Sequence, residues 1–214
     1  MVRSNKNKVI IVGCGPGLKA YIPPRTLYYI KKADILVGSR RLLQLFQDNN
    51  AHKIVLEKDY RSMIDRIANW SSVKQVVVLV SGDPCFFSYA KMIVKTLGRE
   101  SCKIIPGISS IQLAFAAIGE SWDDACFVSL HGRDNEYERL VEELRQHKKV
   151  GILTDQRNTP CVIARQLVKC GLRGWKMYVC ENLSLPSERI SEFELTKAMN
   201  IKAQKAVVMI LIKT

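Results

Sequence analysis

The sequence predicts an α/β protein built as two α/β domains with a ligand cleft between them. Two observations carry this expectation. Short β-rich apolar runs alternate with segments of helical period along most of the 214 residues, the pattern of strands linked by crossover helices. A turn-prone stretch, Gly119–Asp124, then breaks the alternation, placing one domain over residues 1–120 and a second over 121–214.

In the first half the β-rich apolar runs give strands at Lys8–Val12, Ile35–Val37, Lys53–Leu56, Val76–Val80 and Cys102–Ile105. Between and after them, segments of helical period give helices at Pro24–Lys32, Arg40–Phe46, Met63–Trp70, Phe86–Leu97 and Ser110–Ile118. The second half repeats the alternation: strand Phe127–Leu130, helix Glu138–Gln146, strand Val150–Thr154, helix Cys161–Lys169, strand Met177–Cys180 and a last strand Val207–Ile212. Gly171 supplies the stop for the helix before it. Leu185–Asn200 has a proline, mixed charge and weak periodicity, and the pattern assigns it no element.

Composition bounds the function only coarsely. The formal net charge of +13 gives a general attraction for anions without choosing among nucleic acid, a polycarboxylate metabolite and simple solubility. The longest apolar runs, such as Val76–Val80 and Ala206–Ile212, fall far short of the roughly 20 residues of a membrane helix, so no membrane association is expected. After the basic start Met1–Lys8 comes only Val9–Val12, closed by glycines, which is not a signal-peptide core. Seven cysteines are scattered without a C-x-x-C pair, which fits reduced thiols and a cytoplasmic protein.

Three loops carry the motifs. Gly13-Cys14-Gly15-Pro16-Gly17 follows the first strand, but Leu18 stands where a dinucleotide fingerprint needs its third glycine. Pro16 also removes a backbone donor, and Asp34 precedes its strand instead of ending it. Taken alone, the glycines read as a tight turn needing positive φ. Ser81-Gly82-Asp83-Pro84 ends the fourth strand and reads two ways: Asp83 capping a helix with Pro84 at its first position, or a ligand loop. Pro106-Gly107-Ile108-Ser109-Ser110 after the fifth strand has the same duality, with serines as caps or as hydroxyls offered to a ligand.

Together, in this order and spacing, the three loops resemble those of the tetrapyrrole (corrin/porphyrin) methylase family. Gly38-Ser39-Arg40-Arg41-Leu42-Leu43, Ser109-Ser110-Ile111-Gln112-Leu113-Ala114-Phe115 and Ser129-Leu130-His131-Gly132-Arg133 point to the branch that methylates C5 of precorrin-7 or cobalt-precorrin-7 in cobalamin biosynthesis. The resemblance implies two α/β domains, S-adenosylmethionine bound in the cleft between them and released as S-adenosylhomocysteine, and a homodimer. It assigns to the cofactor Pro16, Gly82, Asp83, Phe86, Ser109 and Ser110, and from the second domain Leu130, Thr154, Leu183 and Ala206. Some members of the family carry a further domain that methylates C15 and decarboxylates. These 214 residues have no room for it, so a separate C15-methyltransferase/decarboxylase in the same pathway is expected.

Such a reaction explains why no H-E-x-x-H, G-x-S-x-G or clustered metal ligands occur. A sulfonium methyl is already activated, and the protein's task is to align it with a carbon nucleophile and exclude water; no metal is expected. Asp83 is the candidate to hydrogen-bond the cofactor near its ribose or sulfonium. A corrin precursor carries many carboxylate arms, which makes Arg40, Arg41 and Arg133 substrate candidates, although the Arg40–Arg41 pair reads equally as a solvated helix start. His131 can take up the proton released after transfer, or serve only as a structural hydrogen-bonder. An RNA ribose methyltransferase or a diphthamide-type methyltransferase of the same fold is the alternative. Against an RNA substrate stands the absence of interleaved basic and aromatic segments, so no nucleic-acid partner is expected.

Overall fold

A computed structural model describes residues 7–57, 59–131, 136–201 and 206–214. Its strands and helices fall into two units, Met1–Ser109 and Ser110–Thr214.

The first unit is a five-stranded sheet in the order β3-β2-β4-β1-β5, where β1 is Val9–Gly13, β2 Ile35–Gly38, β3 His52–Val55, β4 Val76–Val80 and β5 Cys102–Ile105. All four pairings are parallel. A parallel sheet needs cover on both faces, and the continuous apolar runs of β1, β2 and β4 supply side chains to both. Val9, Ile11, Val37, Val76 and Val78 pack with Ile64 and Ile67 of α3 (Tyr60–Ser71) and Ile93 of α4 (Ala90–Leu97). The alternate residues Ile10, Val12, Leu36, Val77 and Leu79 pack with Ile30 of α1 (Pro24–Lys31) and with Leu42 and Leu43 of α2 (Arg40–Gln44).

The second unit begins with α5 (Ser110–Ile118), which the sequence pattern groups with the first half but which packs on β10. Its sheet runs β6-β7-β10-β8-β9, with β6 Cys126–Ser129, β7 Lys149–Leu153, β8 Trp175–Glu181, β9 Arg189–Glu194 and β10 Ala206–Lys213. Only β6 and β7 are parallel; the other three pairings are antiparallel. One face is covered by Leu140 and Leu144 of α6 (Tyr137–Gln146) and by Ile163 and Leu167 of α7 (Pro160–Lys169).

Two sequence expectations are corrected. Leu185–Asn200, left without an element, contains β9 and the short helix α8 (Leu195–Ala198). The segment Arg-Ile-Ser-Glu-Phe-Glu of β9 is a half-exposed edge strand whose polar positions dilute the apolar alternation. The helix placed at Phe86–Leu97 begins only at Ala90. Asp83 and Pro84 therefore do not start it; the Ala90 amide is instead met by the Ser88 hydroxyl at 3.3 Å. No described helix is long and apolar enough to cross a membrane.

Candidate active site

The order of the first sheet places the three motif loops side by side. β1 lies between β4 and β5, and the register pairs Gly13 with Val80 and Val12 with Ile105, so all three strands end level at their carboxyl edge. Ligands of open parallel sheets collect at that edge. The loops are laced by backbone bonds: the Cys14 amide donates to the Val80 carbonyl at 2.9 Å, and the Gly82 amide to the Gly15 carbonyl at 2.9 Å.

Glycine is required where the loops touch. A Cβ on Gly13 would stand 2.5 Å from the Gly82 carbonyl oxygen and 2.7 Å from Gly107 Cα, and both obstacles are backbone. Gly13 and Gly107 thus let three chains approach more closely than any side chain permits. The Thr26 hydroxyl, fully buried, donates to the Gly13 carbonyl at 3.1 Å and holds the end of β1 from α1.

Asp83 ties the second loop to the third. Its Oδ1 accepts from the Cys85 amide at 2.7 Å and its Oδ2 from the Gly107 amide at 3.0 Å. Each carboxylate oxygen keeps a further lone pair, so the half-buried group can serve a ligand as well. After Pro84 the chain stays irregular to Tyr89 and passes Phe87 at φ 46°, with Phe86 and Phe87 in an edge-to-face pair 4.8 Å apart. A left-handed phenylalanine costs about 1–2 kcal/mol, and strain of this kind concentrates at functional sites. Pro16 is half-buried in the first loop, and Ser109 is buried in the third beside Gly82, whose Cβ would meet Ser109 Cα at 3.5 Å. Ser110 opens α5.

Arg41 reaches this edge: its Nη2 donates to the Ser81 hydroxyl at 2.7 Å, next to Gly82. Arg40 is exposed at the first position of α2. The Cys14 thiol in the first loop is pushed up to about 12 by burial, which the positive charge of Arg41 offsets only in part. It is therefore no nucleophile near neutral pH.

The second unit gathers the remaining assigned residues at one edge of its own sheet. The register pairs Ser129 with Leu153, Leu153 with Val208, and Val208 with Cys180. The residues just beyond, Leu130, Thr154 and Leu183, follow the ends of β6, β7 and β8, while Ala206 opens β10 opposite Glu181. Leu183 is buried between Asn182 at φ 51° and Ser184 at φ 72°, a second strained loop. His131 Nδ1 lies 3.3 Å from the Thr154 carbonyl. A carbonyl only accepts, so that contact puts a proton on Nδ1, and it is the Nδ1–H tautomer of the neutral ring that carries its lone pair on Nε2. Arg133 and Gly132 lie outside the described residues.

Sequence reasoning missed the support behind this edge. Asp155 Oδ1 accepts from the amides of Arg157 at 2.9 Å and Asn158 at 2.8 Å. The buried Asn158 side chain donates to the Leu130 carbonyl at 2.9 Å and accepts from the Tyr137 hydroxyl at 2.9 Å. Burial, with Asp155 adding to it, pushes the Tyr137 phenol up to about 12 and keeps it a donor. The signal was present in Asp155-Gln156-Arg157-Asn158, an Asx-type turn directly after a strand.

These loops, a backbone-lined edge with a half-buried carboxylate and no activated nucleophile among the groups described there, fit a protein that positions an already reactive ligand. The profile described as Tetrapyrrole (Corrin/Porphyrin) Methylases matches residues 8–198, and the chain belongs to this family. It is 32% identical to a probable cobalt-precorrin-7 C(5)-methyltransferase of Methanocaldococcus jannaschii over 90% of this chain and 92% of that protein. It is 37% identical to the cobalt-precorrin-7 C(5)-methyltransferase of Salmonella typhimurium over 84% of this chain and 87% of that one. Among solved structures, the cobalamin biosynthesis precorrin-6Y methylase of Archaeoglobus fulgidus superposes with a TM-score of 0.75 at 25% identity, covering 96% of this chain and 97% of the other. The uroporphyrin-III C-methyl transferase of Thermus thermophilus complexed with S-adenyl homocysteine gives a TM-score of 0.75 at 22% identity, covering 96% and 97%, and shows the shared fold.

Proposed function

We propose that this chain transfers a methyl group from S-adenosylmethionine to C5 of precorrin-7 or cobalt-precorrin-7, a step of cobalamin biosynthesis. The observation that carries the reading is the level ending of β1, β4 and β5, which brings the Gly-Cys-Gly-Pro-Gly, Ser-Gly-Asp-Pro and Pro-Gly-Ile-Ser-Ser loops together in a member of this family. The glycine-lined edge fits a cofactor that must approach backbone closely, and Asp83 fits its cationic, hydroxyl-bearing part. When bound, S-adenosylmethionine supplies an electrophilic methyl on a sulfonium.

In this reading Pro16, Gly82, Asp83, Phe86 and Ser109, with Ser110 at the start of α5, hold the cofactor; from the second unit Leu130, Thr154, Leu183 and Ala206 are assigned to it as well. The chain needs no nucleophile of its own; it orients the reacting carbon and keeps water away. Arg41, already turned toward the Ser81–Gly82 loop, receives a substrate carboxylate, and Arg40 and Arg133 are assigned to others. His131, with Nδ1–H donated to Thr154, accepts at Nε2 the proton lost after transfer. The reading includes a cytoplasmic homodimer and leaves C15 methylation and decarboxylation to a different catalytic unit. The RNA and diphthamide-type alternatives share the fold, but the relatives at 32% and 37% identity favour the corrin substrate.

The test supplies S-adenosylmethionine with the corrin precursor, with ribosomal RNA, or with neither, and follows release of S-adenosylhomocysteine. Release with the corrin alone, and a product carrying one new methyl at C5, is expected. Release with RNA alone, or methylation at another ring position, contradicts the proposal.

A further inference from the structure

We propose that Cys126, Glu143 and His147 form a binding site for a divalent cation of the zinc class, at the end of the second sheet opposite to Leu130 and Thr154. Cys126 opens the edge strand β6, whereas Glu143 lies in the last turn of α6 and His147 bounds that helix. Cys126 Sγ donates to Glu143 Oε2 at 3.1 Å, and His147 Nε2 lies 3.2 Å from the same oxygen. The three donor atoms fall within 4.8 Å of one another, and all three residues are half-buried.

A thiolate, a carboxylate and an imidazole gathered around one carboxylate oxygen are the donor set zinc takes, at about 2.0–2.3 Å, which spaces tetrahedral ligands roughly 3.5 Å apart. The two contacts to Glu143 Oε2 need open by only a few tenths of an ångström, and Sγ and Nε2, within 4.8 Å of each other, need settle at the same spacing to admit the ion, with water in the fourth position. The competing cation is Arg139, whose Nε lies 3.6 Å from Glu143 Oε1. It engages the opposite oxygen and so holds the carboxylate with Oε2 turned to Cys126 and His147.

Arg139, Glu143 and His147 alone would make an ordinary pair of i,i+4 contacts on a helix face. Cys126 is different, because it comes from the neighbouring strand. A cation takes sulfur as the thiolate, so it must displace the proton that Cys126 Sγ donates to Glu143. Binding therefore releases one proton from sulfur. His147 must present its Nε2 lone pair, so the proton there moves to Nδ1 or, from the imidazolium, leaves to solvent; nothing is oxidised. The ion would fasten the edge strand to the end of α6.

Co²⁺ is the probe, because its thiolate complexes absorb in the near ultraviolet and zinc is silent. Added to the chelator-treated chain, one equivalent should give a thiolate-to-cobalt charge-transfer band with the intense visible bands of a tetrahedral ion, and one equivalent of Zn²⁺ should bleach them. Cys126→Ser should abolish the charge-transfer band, and the solvent-side change His147→Gln should weaken Co²⁺ binding about tenfold or more. Absence of the band in the unmodified chain, or its persistence in a folded Cys126→Ser chain, would overturn the site. If Cys126→Ser does not fold, His147→Gln decides, and unchanged Co²⁺ affinity in it refutes the proposal.

Discussion

Asp83→Ala tests how the loops are held. The change removes two hydrogen bonds from backbone amides to a carboxylate, those from Cys85 and Gly107. Bonds to charged groups contribute about 1.5–3 kcal/mol each, a gross loss of about 3–6 kcal/mol. Asp83 is only half-buried, so water recovers part of this, and we expect a net loss of about 2–3 kcal/mol. Asp83→Asn keeps one amide oxygen as acceptor and should lose about half as much. Urea unfolding measures the stability, and calorimetric titration with S-adenosylhomocysteine measures the site. If ordering the freed loops costs binding about 2 kcal/mol, affinity falls about thirtyfold. An alanine variant as stable as the parent would refute the role of Asp83 as the tie between the second and third loops, and unchanged affinity would remove it from the cofactor site.

Gly13→Ala should disrupt the same edge by another route, since its Cβ meets the Gly82 carbonyl at 2.5 Å and cannot rotate away. Overpacking of this kind costs about 1–3 kcal/mol, and we expect a lower melting temperature with loss of S-adenosylhomocysteine binding; normal values for both would contradict the close approach. Tyr137 gives a pH test. Its folded-state pKa is raised from 10.0 to about 12, so the stability it contributes is present below pH 10 and is lost as pH climbs toward 12. Tyr137→Phe should partly flatten the fall of stability in urea melts above about pH 10, and an unchanged slope would show that the phenol is not held neutral.

The central strands of the first sheet, β1, β2 and β4, were legible because both of their faces are apolar: Val76–Val80 has no polar residue to blur the pattern. The edge strand β9 was not, because half-exposed charged positions give it no apolar run. Asp83-Pro84 misled for a definite reason. It has the chemistry of a helix start, yet the carboxylate is drawn to Gly107, a residue far along the chain, and α4 begins after a strained Phe87. Strand order is absent from local sequence, so the adjacency of the three loops was expected only through the family resemblance; physically it depends on β1 lying between β4 and β5. Antiparallel pairing in the second sheet escaped for the same reason. Cys126 and Glu143, 17 residues apart, match no ligand spacing and meet only because α6 packs beside the sheet.

A crystal structure of the chain with S-adenosylhomocysteine is the most direct measurement. The homocysteine and ribose are expected against Gly82, Asp83 and Ser109 at the carboxyl edge of β1, β4 and β5. A ligand bound elsewhere, with those loops left uncovered, would contradict the account.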